Sequence, residues 1–163
     1  RLYVHLVWTT HERRAVFDER RRKRVHGLLA ALCHRQDCVA YAVGGVSDHV
    51  HLLVSLAPKI AVADLVRSLK TGTSQVVERA LGVPDFSWQR GYGVFSLRET
   101  EREAVHRYVI NQAQHHAEVA KIRQGKRPGV LLYTCHQIIL TEALAFIMRQ
   151  TPESPSSPPH QDS

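Results

Sequence analysis

The sequence lacks any uncharged apolar run of 18 residues, so it contains no segment typical of a membrane-spanning helix. Cysteine is scarce, with only Cys33, Cys38 and Cys135 in the chain. Their number is odd, and they lack the CxxC spacing typical of a zinc site. No secretory signal precedes Leu2 and Tyr3, where strand-like sequence already begins. These absences predict a cytoplasmic protein with reduced thiols and no membrane partner.

Acidic residues are outnumbered by basic ones. The chain has 22 Lys and Arg against 15 Asp and Glu, which gives a formal net charge of +7. Such a balance favours an anionic partner, and without a lipidation motif or amphipathic anchor that partner is more often nucleic acid than membrane. A length of 163 residues with 44% hydrophobic residues predicts one domain that can bury its own core.

The hydrophobic periodicity predicts alternating strands and helices. Strands are predicted at Leu2–Trp8, Cys38–Val46, Asp48–Ser55 and around Val94–Phe95. Helices are predicted at Asp18–Arg35, at Ile60–Leu81 and from Thr100 to at least Lys121. The order β-α-β-β-α-β-α is the ferredoxin-like split βαβ arrangement, an α+β fold in which we expect an antiparallel sheet with helices on one face.

The C-terminal part of the chain differs in composition. Gly125–Gly129 (GKRPG) interrupts the last helical pattern, and Thr151–Ser163 is rich in proline and serine. We therefore predict a folded domain over residues 1–124, a divergent extension over 125–150 and a disordered tail over 151–163.

The most distinctive stretch is Asp48–Ser55 (DHVHLLVS). Side chains alternate along a strand, so His49 and His51 are expected on the same face. Two imidazoles so placed can chelate one divalent cation. The alternative is that both histidines merely face polar neighbours.

The last predicted helix carries a tyrosine and a glutamine on one face. Tyr108 and Gln112 are four residues apart, one helical turn, and His115 continues the stripe. A phenol is a poor nucleophile at its ordinary pKa near 10, and needs a metal-polarised electrophile or nearby cations. In an ordinary amphipathic helix the same tyrosine would simply pack on the sheet.

Basic and aromatic residues offer further candidate contacts. The first helix opens with Arg20–Arg24 (RRRKR), which is either a solvated face or a set of phosphate contacts. Trp8, Trp88 and Tyr92 are expected to pack in the core, with stacking on unpaired bases as the alternative.

Five blocks within residues 2–116 resemble one known family, the single-tyrosine HUH transposases of bacterial insertion sequences, including the REP-associated tyrosine transposases. The blocks are YVHLVWTTHERRAVF, SDHVHLLVSL, SLKTGTSQVV, FSWQRGYGVFSL and HRYVINQAQHH, in this order. The C-terminal segment departs from the family pattern.

The resemblance implies a catalytic domain that binds single-stranded DNA folded into hairpins. It implies that His49, His51 and Gln112 hold Mg²⁺ or Mn²⁺ and that Tyr108 attacks a DNA phosphodiester. The product would be a 5′-phosphotyrosine link and a free 3′-hydroxyl, which later reverses the reaction to join strands. The predicted DNA contacts are Arg13, Arg14, Lys70 and Arg90, and a homodimer is expected.

Two other functions remain open on these residues. The first is a hairpin-binding domain of the same fold that has lost turnover, which the divergent C-terminus favours. The second is an HUH nickase of replication or conjugation, although such chains usually carry larger domains or a different tyrosine context.

Overall fold

The computed structural model of this protein describes residues 2–112 and 114. Within them, four strands are formed: β1 (Leu2–Thr9), β2 (Val39–Gly45), β3 (His49–Leu56) and β4 (Gly93–Leu97). The α-helices are α1 (Glu19–His34), α2 (Val62–Arg79) and α3 (Arg102–Ile110), with 3₁₀ turns at His11–Arg13 and Glu99–Glu101. The order of elements is the predicted β-α-β-β-α-β-α.

The strands form one antiparallel sheet in the order β2-β3-β1-β4. The two central strands are therefore β1 and β3, which are far apart in sequence. Their register pairs His5 with Leu53 and Val7 with His51. His5 and His51 are consequently diagonal neighbours on the same face of the sheet, close enough for side-chain contact.

One face of the sheet is covered by α1 and α2. Alternate residues of the central strands, such as Leu6 and Leu52, pack there with Leu29 of α1 and Leu69 of α2. Trp8 is fully buried in this core, as its apolar ring requires. Trp88 joins the same core and donates its indole N–H to the Thr73 hydroxyl at 2.9 Å, so core packing is confirmed for both tryptophans.

The opposite face is covered by α3, which corrects the expectation that all helices lie on one face. Tyr3, Leu53 and Leu97 of the sheet pack there against Val105 and Val109 of α3. The physical reason is that every residue of β3 is buried. A strand buried on both faces needs a covering element on each, so α3 closes the second face while the fold class stays as predicted.

The contact between α3 and β2 is backbone-close at Gly44. A Cβ added to Gly44 would overlap the main-chain carbonyl of Val109. Only glycine therefore allows α3 to lie this near the sheet.

Several predictions fall outside the described residues. These are the helix beyond residue 114, His115, Cys135, and the boundaries at 124, 125–150 and 151–163. Within the described part of the chain, the helices are too short or too polar to cross a bilayer.

Candidate active site

The two histidines of β3 form the centre of the candidate site. His49 and His51 are each 0% exposed, and their rings lie 5.1 Å apart at 75°. Both lie on the α3 side of the sheet, because Val50 and Leu52 belong to the core beneath α1 and α2. The placement on one face is as predicted.

His49 is held by the aspartate that precedes it. Its Nδ1 lies 2.7 Å from Asp48 Oδ1, while Asp48 Oδ2 accepts a hydrogen bond from Arg13 Nε at 2.9 Å and lies 2.8 Å from Arg13 Nη2 in an ion pair. Burial alone would raise the pKa of Asp48, but the hydrogen bond with His49 and the charge of Arg13 outweigh it and lower the pKa. Asp48 is therefore a carboxylate at neutral pH.

Arg13 reaches Asp48 from a strained turn. Glu12 and Arg13 have φ of 52° and 54°, the left-handed region that costs L-residues about 1 kcal/mol or more. The two-point guanidinium–carboxylate contact compensates this strain. DNA contact by Arg13 stays a prediction, but the structure already gives its guanidinium an intramolecular partner.

His51 is held by a histidine on the neighbouring strand. His5 Nε2 lies 2.9 Å from His51 Nδ1, and the rings stack at 5.1 Å and 18°. His5 is 0% exposed. His5 falls within the predicted strand Leu2–Trp8 but had no predicted role, because only the β1–β3 register brings it to His51.

Tyr108 of α3 contacts the histidine cluster, and Gln112, two residues beyond the end of that helix, hydrogen-bonds back to Tyr108. The Tyr108 ring is edge-on to His51, with centroids 5.4 Å apart at 90°. Tyr108 is 4% and Gln112 1% exposed, and the Gln112 amide donates to the Tyr108 carbonyl at 3.2 Å. Burial raises the pKa of Tyr108, against an opposing hydrogen bond from Gln112, so the phenol is protonated at rest.

The donor types suit a divalent cation. Each of the two rings makes a hydrogen bond through Nδ1, so Nε2 is the nitrogen through which His49 and His51 would bind a metal. Gln112 Oε1 is a buried acceptor with no hydrogen-bond partner among the described residues. Those residues contain no group of three His, Cys, Asp or Glu arranged around a metal.

Lys70, a predicted DNA contact, organises a loop. Its Nζ donates to the carbonyls of Gln89 at 2.7 Å, Arg90 at 3.2 Å and Gly91 at 2.7 Å. Burial lowers its pKa to about 8, so the ammonium form still predominates at neutral pH. It also lies 5.9 Å from the centre of the Tyr92 ring.

The other predicted basic contacts differ in exposure. Arg14 and Arg90 are exposed, as are Arg20 and Arg24 at the start of α1. Arg21 instead turns inward, where its guanidinium donates to the carbonyls of Leu81 at 3.2 Å and Val16 at 3.3 Å. Arg21 therefore stabilises the fold through its hydrogen bonds, whereas Arg20 and Arg24 lie on a solvent-exposed face.

Sequence comparison finds a family model and several known proteins that are similar to this chain. The family model described as "Transposase IS200 like" matches residues 1–112. The transposases for insertion sequence element IS200 of Salmonella typhimurium and Salmonella typhi are each 28% identical over 96 residues, or 55% of this chain and 63% of theirs. The ISDra2 transposase TnpA of Deinococcus radiodurans is 25% identical over 125 residues, 72% of this chain and 86% of that protein.

Solved structures agree on the fold. A protein from Deinococcus radiodurans R1, assigned as a transposase, superposes with a TM-score of 0.55 at 26% identity, covering 68% of this chain and 90% of that one. A REP-associated tyrosine transposase bound to a REP hairpin has a TM-score of 0.56 at 15% identity, covering 83% and 90%. The second likeness concerns the fold alone. The matched part spans less than two thirds of the Salmonella proteins, at 63% of their length.

Proposed function

Because this chain belongs to the IS200-like transposase family, as its sequence blocks predicted, we propose that it cleaves single-stranded DNA and transfers the cut strand through Tyr108. The observation that carries the proposal is the meeting of Tyr108 with the histidine pair. Its ring lies 5.4 Å from that of His51, and Gln112 stands one turn further along the chain. A nucleophile and a set of cation donors thus share one buried cluster.

The proposed reaction uses the phenolic oxygen of Tyr108. As Oη bonds to phosphorus, the bond from phosphorus to the 3′ oxygen breaks, and the proton that the phenol loses is balanced by the proton that the 3′ oxygen gains. The departing 3′ oxygen takes a proton and becomes a free hydroxyl, while the 5′ side stays linked to Tyr108. The phosphotyrosine conserves the phosphodiester bond energy, so joining to another 3′-hydroxyl needs no nucleotide cofactor.

His49, His51 and Gln112 are the residues that would hold Mg²⁺ or Mn²⁺. When bound there, such a cation would polarise the scissile phosphate and stabilise charge on the leaving oxygen. All three side chains are buried, so charge interactions with a phosphate that bound beside them would be stronger than in water.

We propose a hairpin-bearing single strand as the DNA partner. The support is the net charge of +7, the exposed arginines Arg14, Arg20, Arg24 and Arg90, and the REP hairpin bound to the structural neighbour. The homodimer stays a prediction. The joint presence of tyrosine, histidine pair and glutamine favours a working enzyme over a binding domain without turnover.

Replacing Tyr108 with phenylalanine tests the nucleophile. Tyr108→Phe removes the attacking oxygen and keeps the ring that packs on His51. We expect no covalent protein–DNA adduct on denaturing gels, with hairpin binding close to that of the unmodified chain. Tyr92→Phe is the matched control, since Tyr92 packs beside Lys70 and its hydroxyl should not be needed. An adduct that persists in Tyr108→Phe and disappears in Tyr92→Phe would transfer the role to Tyr92.

A further inference from the structure

The two candidate metal ligands are held in the same way by different partners. Each imidazole makes its hydrogen bond through Nδ1: His49 with Asp48 at 2.7 Å, and His51 with His5 at 2.9 Å. Neither Asp48 nor His5 belongs to the proposed ligand set. Their common feature is that they act on the nitrogen opposite the one that would meet a cation.

The Asp48 contact determines the tautomer of His49. An ionised carboxylate can only accept a hydrogen bond, so Nδ1 of His49 must carry the hydrogen. In a neutral imidazole the lone pair then lies on Nε2. Asp48 is in turn held by a hydrogen bond from Arg13 Nε and an ion pair with Arg13 Nη2.

In the absence of a cation, either His5 or His51 can be the donor of the hydrogen bond between them. A neutral His5–His51 pair shares one hydrogen between His5 Nε2 and His51 Nδ1. A cation at Nε2 of His51 requires the hydrogen on Nδ1 of His51, which then donates to Nε2 of His5. His5 can accept it only as the tautomer protonated at its own Nδ1.

We propose that His5 and the Arg13–Asp48 pair are positioning residues for the metal site, which present Nε2 of His51 and of His49 to the cation. The inference rests on the proposed function, because it assumes that His49 and His51 are ligands. It reassigns Arg13 from DNA contact to support of the site. It also makes His5 a link between ligand and nucleophile, since its ring lies 6.0 Å from that of Tyr108.

Metal affinity, rather than activity, tests the role of His5. His5→Phe keeps a ring against Phe95 and Tyr108 but removes the hydrogen bond, whereas His5→Gln can place an amide oxygen near the former Nε2. In calorimetric titrations of the full chain with Mn²⁺, we expect Kd to rise about 10- to 100-fold in His5→Phe and to stay near the unmodified value in His5→Gln. His34→Gln, which removes an exposed histidine, should leave Kd unchanged.

The Asp48 arm uses the same titration. Asp48→Ala should raise Kd about 10- to 100-fold, because His49 loses the acceptor that sets its tautomer. Asp37→Asn is the matched control, since Asp37 forms an exposed ion pair with Lys59 outside the site. Thermal unfolding without metal shows which variants are folded. If His5→Phe does not fold, His5→Leu replaces it in the titration.

The results separate this inference from the function on which it rests. A folded His5→Phe and Asp48→Ala that bind Mn²⁺ like the unmodified chain would overturn the positioning role alone. So would His5→Gln binding as weakly as His5→Phe, because ring packing would then explain the loss. An unmodified chain that binds no more Mn²⁺ than His49→Ala would overturn the metal site itself.

Discussion

At the residue scale, the site consists of polar side chains from which water has been removed. His5, His49 and His51 are each 0% exposed, so their ring nitrogens depend on partners within the protein. His51 makes its hydrogen bond with His5, and His49 makes its hydrogen bond with Asp48.

The donor types predict unequal losses when ligands are removed. His49→Ala and His51→Ala should each nearly abolish adduct formation at ordinary Mn²⁺ concentration, because one imidazole and one amide make a poor chelate. Gln112→Ala should be milder, since water can replace a neutral amide oxygen. Adduct yield against Mn²⁺ concentration measures the difference, with His34→Ala as control. Cleavage that survives saturating chelator would contradict the metal role altogether.

A histidine outside the site predicts sensitivity to acid. Burial, followed by the charge of Arg22, lowers the pKa of His26 from 6.5 to about 4, and its Nε2 has no hydrogen-bond partner among the described residues. Between pH 6.5 and about pH 4, the His26 imidazole is protonated in the unfolded chain and neutral in the folded chain. Stability is therefore complete above pH 6.5 and falls as pH drops towards 4, by about 1 to 3 kcal/mol for this half-buried group.

The variant His26→Leu should remove that part of the acid loss. Chemical unfolding at pH 7 and pH 5 would show a smaller difference in the free energy of unfolding than in the unmodified chain. His34→Leu, an exposed histidine of the same helix, should leave the difference as it was. An equal difference in His26→Leu would mean that His26 is not the group responsible.

At the scale of elements, the position of the nucleophile depends on how α3 sits on β2. The helix lies so close that its Val109 carbonyl occupies the space of a Cβ at Gly44. Tyr108 precedes Val109, so displacement of this turn moves the tyrosine with it. Glycine at position 44 thus belongs to the geometry of the site although it has no chemistry of its own.

A methyl group at Gly44 should therefore lower both the stability of the fold and the yield of the adduct. Gly44→Ala should cost about 1 to 3 kcal/mol through overpacking and reduce the adduct at least tenfold, because Tyr108 is moved from His51. The control is Gly27→Ala, where an added Cβ meets no described atom within 4 Å. There alanine should stabilise helix α1 by up to about 1 kcal/mol and leave the adduct unchanged. Gly44→Ala with normal adduct yield would show that α3 can shift without consequence.

At the scale of the whole molecule, the excess positive charge is unevenly used. Some basic side chains already make ion pairs or hydrogen bonds within the protein, namely those of Arg13, Arg21 and Lys70. Others, including Arg20 and Arg24, are exposed on α1. Only the second group is available to phosphates without dismantling an internal contact.

Salt dependence distinguishes a DNA face from a merely solvated one. If Arg20 and Arg24 contact phosphates, Arg20→Glu with Arg24→Glu should flatten the slope of log affinity against log salt by about 0.7 per lost contact. Hairpins and plain single strands should weaken alike, since phosphates carry no sequence information. Arg35→Glu with Arg67→Glu makes the same change in net charge at other exposed positions. Equal slopes in both double variants would return the arginine run to a solvated face.

The sequence by itself determined the elements and their order. Strand alternation and helical periodicity are local properties, so β1 to β4 and α1 to α3 could be read from short windows. The same holds for the pairing of His49 with His51, because that spacing lies within one strand. Tyr108 and Gln112 are one turn apart in the predicted helix, although α3 itself ends at Ile110. Asp18 as the cap of α1 is equally local, and its carboxylate accepts the Arg21 backbone N–H at 2.7 Å.

Only the tertiary structure decided which distant residues complete the site. His5 meets His51 across 46 positions and Arg13 meets Asp48 across 35, distances set by strand register and a strained turn rather than by local pattern. The face taken by α3 depends on which side of β3 remains uncovered once α1 and α2 have packed. Periodicity identifies an apolar face but not its partner, because burial stabilises any complementary surface and only the assembled chain selects one.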